Sequence, residues 1–291
     1  MRFNREAPRF LRREDAGDVT LRTFLDDGRY RDVFIERYLY PMGSSVWSMT
    51  PETLDGFPAM ALLGFFENHG MLGIATHPQW KTLKGGSQAY LEPLTKPFRS
   101  RIHLDTMIQS MTRSRDSVRL EFAGRPALEF DHVVFACHGN QVLPLLGDLS
   151  EAERSVFANF ETTRNEVCLH TDSGMLPRRP AARASWNYRL LGRRTVTVTY
   201  DMNRLQSLNV PENYCVSLNA NGSIAPDRVI KTMVYHHPLY TRAALASQAR
   251  WGEVSGRNRT HYCGAYWFHG FHEDGVRSAL RVAASLGAIH P

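Results

Sequence analysis

The first quarter of the chain places its apolar residues at the spacing of amphipathic helices. Thr20 stands directly before the predicted helix start at 21–25 and is a suitable N-cap, and the apolar residues at 34–39 continue the helical period. A further apolar run covers residues 59–66 and leads into a connection that ends at Trp80. The pattern predicts several helices, separated by prolines, over about the first 70 residues.

Beyond residue 80 the pattern changes to mixed helix and strand. The glycine pair at 85–86 begins a predicted helix that runs through Leu94, and residues 102–105 predict a short strand. Two alternating runs, 108–112 and 117–122, flank a charged turn. This combination predicts a β-hairpin.

The later strands predict two kinds of sheet. The largely apolar run at 132–137 is typical of a strand buried on both faces of a parallel or mixed sheet. A predicted helix at 151–160 is followed by strand-like runs at 167–170, 195–200 and 214–218. These runs favour an antiparallel sheet with flanking helices, so we expect an α/β (α+β) fold in which two kinds of layer are interleaved.

Composition and charge narrow the class of protein. With 43% hydrophobic and 22% charged residues, the chain has an ordinary globular composition, and it carries no apolar run long enough to span a membrane. The N-terminus lacks the apolar core of a signal peptide, so we expect a cytoplasmic protein. The four cysteines are far apart and predict buried, reduced thiols. The net charge of +6 is scattered, which speaks against nucleic-acid binding.

The segment at 263–279 carries the most chemical information. A strand ends at Gly264, a glycine-bounded loop follows, and a new helix begins near Gly275. Such a turn directs backbone N–H groups and the positive end of a helix dipole at one point, where a pyrophosphate or a flavin pyrimidine ring can bind. The alternative is an ordinary helix start in which Glu273 and Asp274 satisfy the dipole themselves.

This segment resembles the C-terminal flavin motif of the flavin amine oxidase superfamily. The wider resemblance is to a bacterial subgroup of predicted NAD/FAD-binding proteins, which is also similar to the N-terminal part of plant cyclopropane fatty acid synthases. It rests on six segments: YLYPMGSSVWS at 38–48, FFENHG at 65–70, WKTLKGGS at 80–87, ASWNY at 184–188, TYDMNRLQ at 199–206 and GFHEDG at 270–275. Together they extend over nearly the whole chain.

The resemblance implies a cofactor, FAD, and a set of contacts for it. The residues implied to lie against it, chiefly through backbone groups, are Gly264, Ala265, Phe271, His272, Glu273, Gly275, Ile108, Gly85 and Gly86. The family commonly has glycine where Ala279 stands, which implies a slightly looser approach of the helix here.

The resemblance also implies a division into alternating domains. Residues 1–80 are then the helical part of a substrate domain, and 81–147 are part of an FAD-binding domain with an incomplete Rossmann-like layer. Residues 148–255 supply the sheet and helices of the substrate domain, and 256–291 form the C-terminal FAD-binding segment.

One part of the family pattern is missing from the 291 residues. No G-x-G-x-x-G sequence occurs, although this fingerprint cradles the ADP moiety in such folds. Without the strands of that unit, the strand at 132–137 and the C-terminal helix would have bare apolar faces. We therefore expect either a fragment of a longer gene product or a chain that uses a separately encoded N-terminal FAD-binding unit.

Other residues allow both functional and structural interpretations. The aromatic and amide residues Trp186, Asn187, Tyr188, Tyr200 and Asn203 are candidates for a substrate cavity, or for core residues with hydrogen-bonded polar tips. The histidines lack the spacing of a metal site, so no metal is predicted.

The catalytic prediction depends on the cofactor rather than on a side-chain triad. No Ser-His-Asp, Cys-His or P-loop pattern is visible, and none is required when a flavin accepts the hydride. His272, beside the expected flavin, is the candidate for proton transfer.

Three classes of function follow. The leading hypothesis is an FAD-dependent oxidoreductase that oxidises a C–C or C–N bond, with a fatty acyl or other lipid substrate suggested by the resemblance and an amine as the alternative. The second is a non-catalytic accessory or interaction module that has lost cofactor binding. The third, nucleic-acid binding, is disfavoured. No transmembrane segment is expected, and a lipid substrate would favour peripheral membrane contact.

Overall fold

The computed structural model describes residues 2–47, 49–73, 81–191, 195–220 and 222–288. The connection predicted to end at Trp80 lies outside these residues. The chain forms two compact units, each built from two separate stretches. The first unit comprises Met1–Ser100 with Thr163–His237, and the second comprises Arg101–Thr162 with Pro238–Pro291. Which unit binds cofactor or substrate stays a prediction.

The helices are α1 (Arg2–Leu11), α2 (Leu21–Asp27), α3 (Asp32–Phe34), α4 (Tyr40–Trp47), α5 (Pro51–Asp55), α6 (Ala59–Asn68), α7 (Leu91–Thr95), α8 (Glu151–Phe157), α9 (Met202–Gln206), α10 (Arg242–Ala249), α11 (Trp251–Val254) and α12 (His272–Ser285). The strands are β1 (Ile108–Arg113), β2 (Val118–Phe122), β3 (Arg125–Phe130), β4 (Val133–Phe135), β5 (Thr162–His170), β6 (Trp186–Leu191), β7 (Thr195–Asp201), β8 (Cys215–Leu218), β9 (Val229–Pro238) and β10 (Thr260–Tyr262).

Local sequence signals explain several helix starts in the first unit. The side chain of Thr20 accepts a 3.2 Å hydrogen bond from the backbone N–H of Thr23, so the predicted cap of α2 is confirmed. Thr50 caps α5 in the same way, at 3.3 Å from the N–H of Thr53. The prediction of a helical N-terminal part is confirmed.

A π-helical turn at Ile35–Leu39 joins α3 to α4. Pro41 follows this turn inside the helix and has no backbone N–H, so the carbonyl of Arg37 loses its partner four residues on. The hydroxyl of Tyr188 on β6 donates a 3.1 Å hydrogen bond to that carbonyl. A strand residue thus stabilises the helical break.

A five-stranded sheet of order β6-β7-β8-β5-β9 completes the first unit. Strand β7 is antiparallel to both β6 and β8, and β8 is antiparallel to β5. The predicted antiparallel sheet is therefore confirmed. The edge strand β9 is exposed along most of its length, with Ile230 and Tyr235 both 52% exposed.

The second unit contains two further sheets. Strands β1, β2 and β3 form an antiparallel meander, which confirms the predicted hairpin, and the backbone N–H of Ser114 donates to the Ser117 carbonyl across the turn. Strand β4 pairs with β10 in parallel. The buried side chains of the second unit include Met111, Phe157, Tyr262 and Trp267.

An ion pair lies inside this core. The Arg113 guanidinium bonds the carboxylate of Glu153 at 3.0 Å, and the two side chains are 1% and 2% exposed. The hydroxyl of Tyr262 donates to the same carboxylate at 2.6 Å. Burial by itself raises the pKa of Glu153, but hydrogen bonds from Arg113, Ser150 and Tyr262 outweigh it and hold the pKa at about 2.

Two expectations about strands were wrong. Residues 102–105 form no strand. The strand in the 132–137 run is parallel to its neighbour but is not buried on both faces, because Val134 is 42% exposed. Val276 and Leu280 on α12 are also exposed, at 52% and 39%. Apolar side chains of both β4 and α12 are thus exposed among the described residues.

Candidate functional site

The candidate site is the loop that connects β10 to α12. Gly264 follows the strand with φ +146°, in a region of backbone conformation that is almost exclusive to glycine. A Cβ at this position would lie 2.5 Å from the Tyr266 ring. The backbone N–H of Gly264 donates to the Ser278 Oγ at 2.8 Å, and this bond ties the strand end to the second turn of α12.

Asp274 organises the remainder of the loop. Its carboxylate accepts hydrogen bonds from the backbone N–H groups of Phe271, at 3.0 Å, and His269, at 3.2 Å. Gly270 donates to the Ala265 carbonyl at 3.1 Å. Several backbone N–H donors of the loop are therefore satisfied within the loop itself. For Asp274, this agrees with the alternative interpretation of an ordinary helix start. Asp274 does not account for every donor at this helix start. The first N–H groups of an α-helix, here including that of Glu273, have no carbonyl acceptor within the helix.

Tyr240 adds a buried polar atom to this loop. Its side chain is 6% exposed, and its hydroxyl has no hydrogen-bond partner among the described residues. A Cβ on Gly270, which has φ +91°, would lie 2.4 Å from that hydroxyl. Burial and the nearby carboxylate of Asp274 raise the pKa of Tyr240, so the phenol remains a proton donor at neutral pH.

The structure brings together only some of the predicted cofactor residues. Gly264 and Ala265 lie at the end of β10, while Phe271, His272, Glu273 and Gly275 surround the start of α12. Phe271 is 40% exposed. Ile108 begins β1 on a different sheet of the same unit.

Gly85 and Gly86 belong to the first unit. Both have positive φ, of +83° and +79°. A Cβ on Gly86 would meet the Gln206 side chain at 3.7 Å, an ordinary contact distance. The requirement for glycine at this pair therefore comes from the backbone conformation.

The predicted substrate residues divide between the two faces of the β6–β7 hairpin. Trp186 pairs with Tyr200 across the hairpin, and its ring lies 6.4 Å from that of Tyr188. These three aromatic residues share one face, because side chains on a strand alternate. Asn187 lies on the other face and bonds the backbone of Ala184 at 2.7 Å.

The amide of Asn203 is likewise committed to the backbone. It donates to the Glu212 carbonyl at 2.7 Å and accepts from the N–H of Tyr214 at 2.8 Å. The side-chain amides of Asn187 and Asn203, both predicted to bind substrate, therefore bond the backbone instead. The aromatic face is the part of the substrate prediction that these contacts do not affect.

A buried polar chain inside the five-stranded sheet was missed by sequence reasoning. The Nε2 of His170 lies 2.9 Å from the Ser217 Oγ, which lies 2.7 Å from the hydroxyl of Thr199. The Nδ1 of His170 accepts from the backbone N–H of Asp172 at 3.1 Å. Because Nδ1 accepts, neutral His170 carries its proton on Nε2 and cannot act as a base toward Ser217. No spacing in the sequence predicts this series of hydrogen bonds, because its residues lie on three different strands.

The described residues hold neither a metal-ligand cluster nor a membrane-spanning helix. Among them, no three His, Cys, Asp or Glu side chains converge as metal ligands would. No helix in the described ranges is both long and apolar enough to cross a bilayer.

Comparison with known proteins identifies the fold and the family. Residues 4–204 match the family described as flavin containing amine oxidoreductase. No curated protein matches the sequence significantly. The fold is similar to that of a CLA-producing fatty acid isomerase from P. acnes, with 15% identity and a TM-score of 0.62 over 93% of this chain and 67% of that one.

Two oxidase structures are similar in the same way. For putrescine oxidase bound to putrescine, the identity is 11% and the TM-score 0.66, over 99% of this chain and 74% of that one. For cyclohexylamine oxidase from Brevibacterium oxydans, the identity is 12% and the TM-score 0.62, over 98% of this chain and 72% of that one. At such identities the likeness establishes the fold alone, and it confirms the predicted fold class.

Proposed function

This chain belongs to the flavin-containing amine oxidoreductase family, and on that basis we propose that it is an FAD-dependent oxidoreductase, or the larger part of one. Bound FAD would supply the acceptor for a hydride taken from a C–C or C–N bond of the substrate. The observation that carries the proposal is the loop between β10 and α12, which contains Gly264 in a glycine-only conformation and ends at the first turn of a 14-residue helix.

The residues of this loop fit a flavin nucleotide. The first turn of α12 offers backbone N–H groups and the positive end of the helix dipole to an anionic or electron-rich group. Tyr240 contributes a buried hydroxyl that is unpaired among the described residues and lies against Gly270. We assign Gly264, Ala265, Phe271, Glu273 and Gly275 to hold the cofactor.

The remaining assignments rest on the resemblance. Ile108 and the glycine pair Gly85 and Gly86 would add backbone contacts to the cofactor. His272, the first residue of α12, is the candidate for moving a proton.

We favour a fatty acyl or other lipid substrate, with an amine as the alternative. One protein of similar fold is a fatty acid isomerase, while two others are oxidases of putrescine and cyclohexylamine. The aromatic face formed by Trp186, Tyr188 and Tyr200 provides an apolar wall suited to a hydrocarbon chain. A lipid substrate would also bring the protein to a membrane surface from the cytoplasm.

A further unit would complete the cofactor site. The pair β4 and β10 is a parallel sheet of only two strands among the described residues, whereas parallel sheets are normally covered on both faces. The exposed side chains Val134, Val276 and Leu280 offer an apolar surface for such a cover. We propose that a strand-turn-helix unit with a G-x-G-x-x-G fingerprint, outside these 291 residues or separately encoded, binds there.

The visible spectrum of the purified chain after incubation with FAD and desalting tests this proposal. Retained flavin bands in the wild type, and their loss in Gly264→Ala, would support binding by this loop. If the protein retains flavin only after the fingerprint unit is added, the result would support the proposal that this chain is the larger part of an oxidoreductase. If the protein stays colourless with and without that unit, the oxidoreductase proposal fails and the accessory-module alternative is favoured.

A further inference from the structure

Helix α1 carries a charged surface that the oxidoreductase proposal does not use. Residues 2–13 contain five arginines and a single glutamate. Three of these arginines, Arg5, Arg9 and Arg12, are exposed and follow one another at helical spacing. Each comes two positions after a buried residue, and two positions turn an α-helix by about 200°. The three arginines, called here the arginine row, therefore lie opposite the buried side of α1. The buried residues are Phe3, Ala7 and Phe10.

The carboxylates near α1 are engaged with other arginines. Glu6 forms an ion pair with Arg2 at 3.2 Å, and Asp15 accepts a 2.8 Å hydrogen bond from Arg13. The hydrogen bond and charge of Asp15, and then the charge of Asp27, raise the pKa of Arg13. No member of the arginine row forms an ion pair within the described ranges. The positive charge of the row is thus left uncompensated by these ranges.

The members of the row repel one another. Side chains three or four residues apart on a helix are neighbours, and like charges at that spacing are unfavourable. The first turn of α1 contains no acidic residue that would favour its dipole. An anionic surface placed against the row offsets this repulsion, so the row is suited to a partner with many negative charges.

The surroundings of the row favour a membrane over a nucleic acid. Both aromatic rings on α1 are only 4% exposed, so this helix offers no ring for base stacking. Residues 29–33 lie beside α1, because the Arg2 guanidinium stacks on the Tyr30 ring at 4.5 Å. Among them the aliphatic side chain of Val33 is 58% exposed. An exposed aliphatic group next to basic residues suits the boundary of a lipid layer.

We propose that the arginine row docks the protein on an anionic lipid bilayer, with its guanidinium groups against the lipid phosphates. The inference rests on the proposed lipid substrate for its choice of partner, and it names the surface through which the chain reaches that substrate. Because the apolar side of α1 is buried, the contact is electrostatic and α1 does not enter the hydrocarbon layer. Each arginine contributes about fivefold to binding at such a surface.

Cosedimentation of the flavin-free chain with lipid vesicles tests this proposal. We expect binding to phosphatidylcholine vesicles that contain about one third phosphatidylglycerol, and none to pure phosphatidylcholine. Binding should fall steeply between about 0.05 and 0.5 M NaCl, because salt screens the charges. The measurement involves neither flavin nor turnover. Its failure therefore leaves the flavin-retention test standing, and a failure of flavin retention leaves the vesicle result standing.

Variants of the row locate the contact. The triple variant Arg5→Gln/Arg9→Gln/Arg12→Gln should weaken vesicle binding about a hundredfold. The variant Arg5→Lys/Arg9→Lys/Arg12→Lys should retain binding, because the attraction depends on charge. Thermal melts check folding, and the triple Gln variant should melt no lower than the wild type, since it removes like-charge neighbours. If it fails to fold, the single variant Arg9→Gln should still show a loss of about fivefold.

A matched control removes the same charge elsewhere. Arg115→Gln/Arg154→Gln/Arg257→Gln changes three exposed arginines of the second unit and should weaken binding less than about threefold. Equal weakening by the two triple Gln variants would overturn the proposal, as would equal binding to the two kinds of vesicle or no binding to the anionic one. If duplex DNA displaces the chain from the vesicles, the row is assigned to nucleic acid and the proposal fails.

Discussion

The backbone N–H of Gly264 donates to the Ser278 Oγ at 2.8 Å, and that hydroxyl donates in turn to the Gly275 carbonyl at 2.7 Å. Ser278 is 1% exposed, so both bonds are shielded from water. The end of β10 and the start of α12 are therefore connected through one buried side chain. This connection positions the loop to which we assign the cofactor.

Gly264→Ala should destabilise the second unit and abolish flavin retention. A Cβ would occupy a conformation reserved for glycine and would lie 2.5 Å from the Tyr266 ring. We expect a loss of about 1–3 kcal/mol from the backbone conformation alone, measured by urea unfolding. Gly124→Ala is the matched control, because Gly124 has φ +69° but nothing within 4 Å of the added Cβ. Equal effects of the two variants would contradict the role of the Tyr266 contact.

Asp274→Asn should weaken the loop more than Glu273→Gln does. Both changes remove a negative charge from the first turn of α12, but only Asp274 accepts from Phe271 and His269. We expect a loss of about 1–2 kcal/mol for Asp274→Asn and about 0.5 kcal/mol for Glu273→Gln. Urea unfolding gives both values. A larger effect for Glu273→Gln would show that the dipole outweighs the two hydrogen bonds.

Arg113→Met should be among the most destabilising substitutions in the second unit. It leaves the buried carboxylate of Glu153 without its cation, which costs about 3–5 kcal/mol. Arg119→Met, on the neighbouring strand, removes an ion pair with Glu121 whose side chains are 50% and 43% exposed. That control should cost less than about 1 kcal/mol in the same denaturant experiment. Similar losses would mean that Glu153 finds another partner.

The melting temperature should fall as the pH drops from 7.5 to 5.5. Burial lowers the pKa of His170, and burial together with His132 lowers that of His261, relative to the ordinary value of 6.5. The unfolded chain therefore binds more protons below pH 6.5, so stability present above that pH is lost on acidification. The pKa of Glu153, at about 2, keeps its contribution constant over this range.

The double variant His170→Asn/His261→Asn separates this effect from general acid sensitivity. It should lower the melting temperature at pH 7.5 but flatten its dependence on pH. His103→Asn, an exposed histidine, should preserve the wild-type slope. An unchanged slope in the double variant would assign the pH dependence to other groups.

Local interactions made much of the fold predictable from the sequence. The cap of α2 at Thr20 and the hairpin of β1 and β2 involve residues close together in the chain. Their signals can therefore be read from spacing and residue type alone. The glycines around α12 were recognisable for the same reason, because the strand end, the loop and the helix start are consecutive.

Only the tertiary structure decided which partners the side chains of those elements bond and which of them are buried. Tyr188 was a candidate for a substrate wall, yet its hydroxyl bonds the Arg37 carbonyl, a partner 151 positions away. The chain from Thr199 through Ser217 to His170 joins three strands. The exposure of Val134 depends on which strands cover it rather than on its own sequence. Hydrogen-bond partners and burial are properties of distant segments brought together by folding, and residue spacing does not record them.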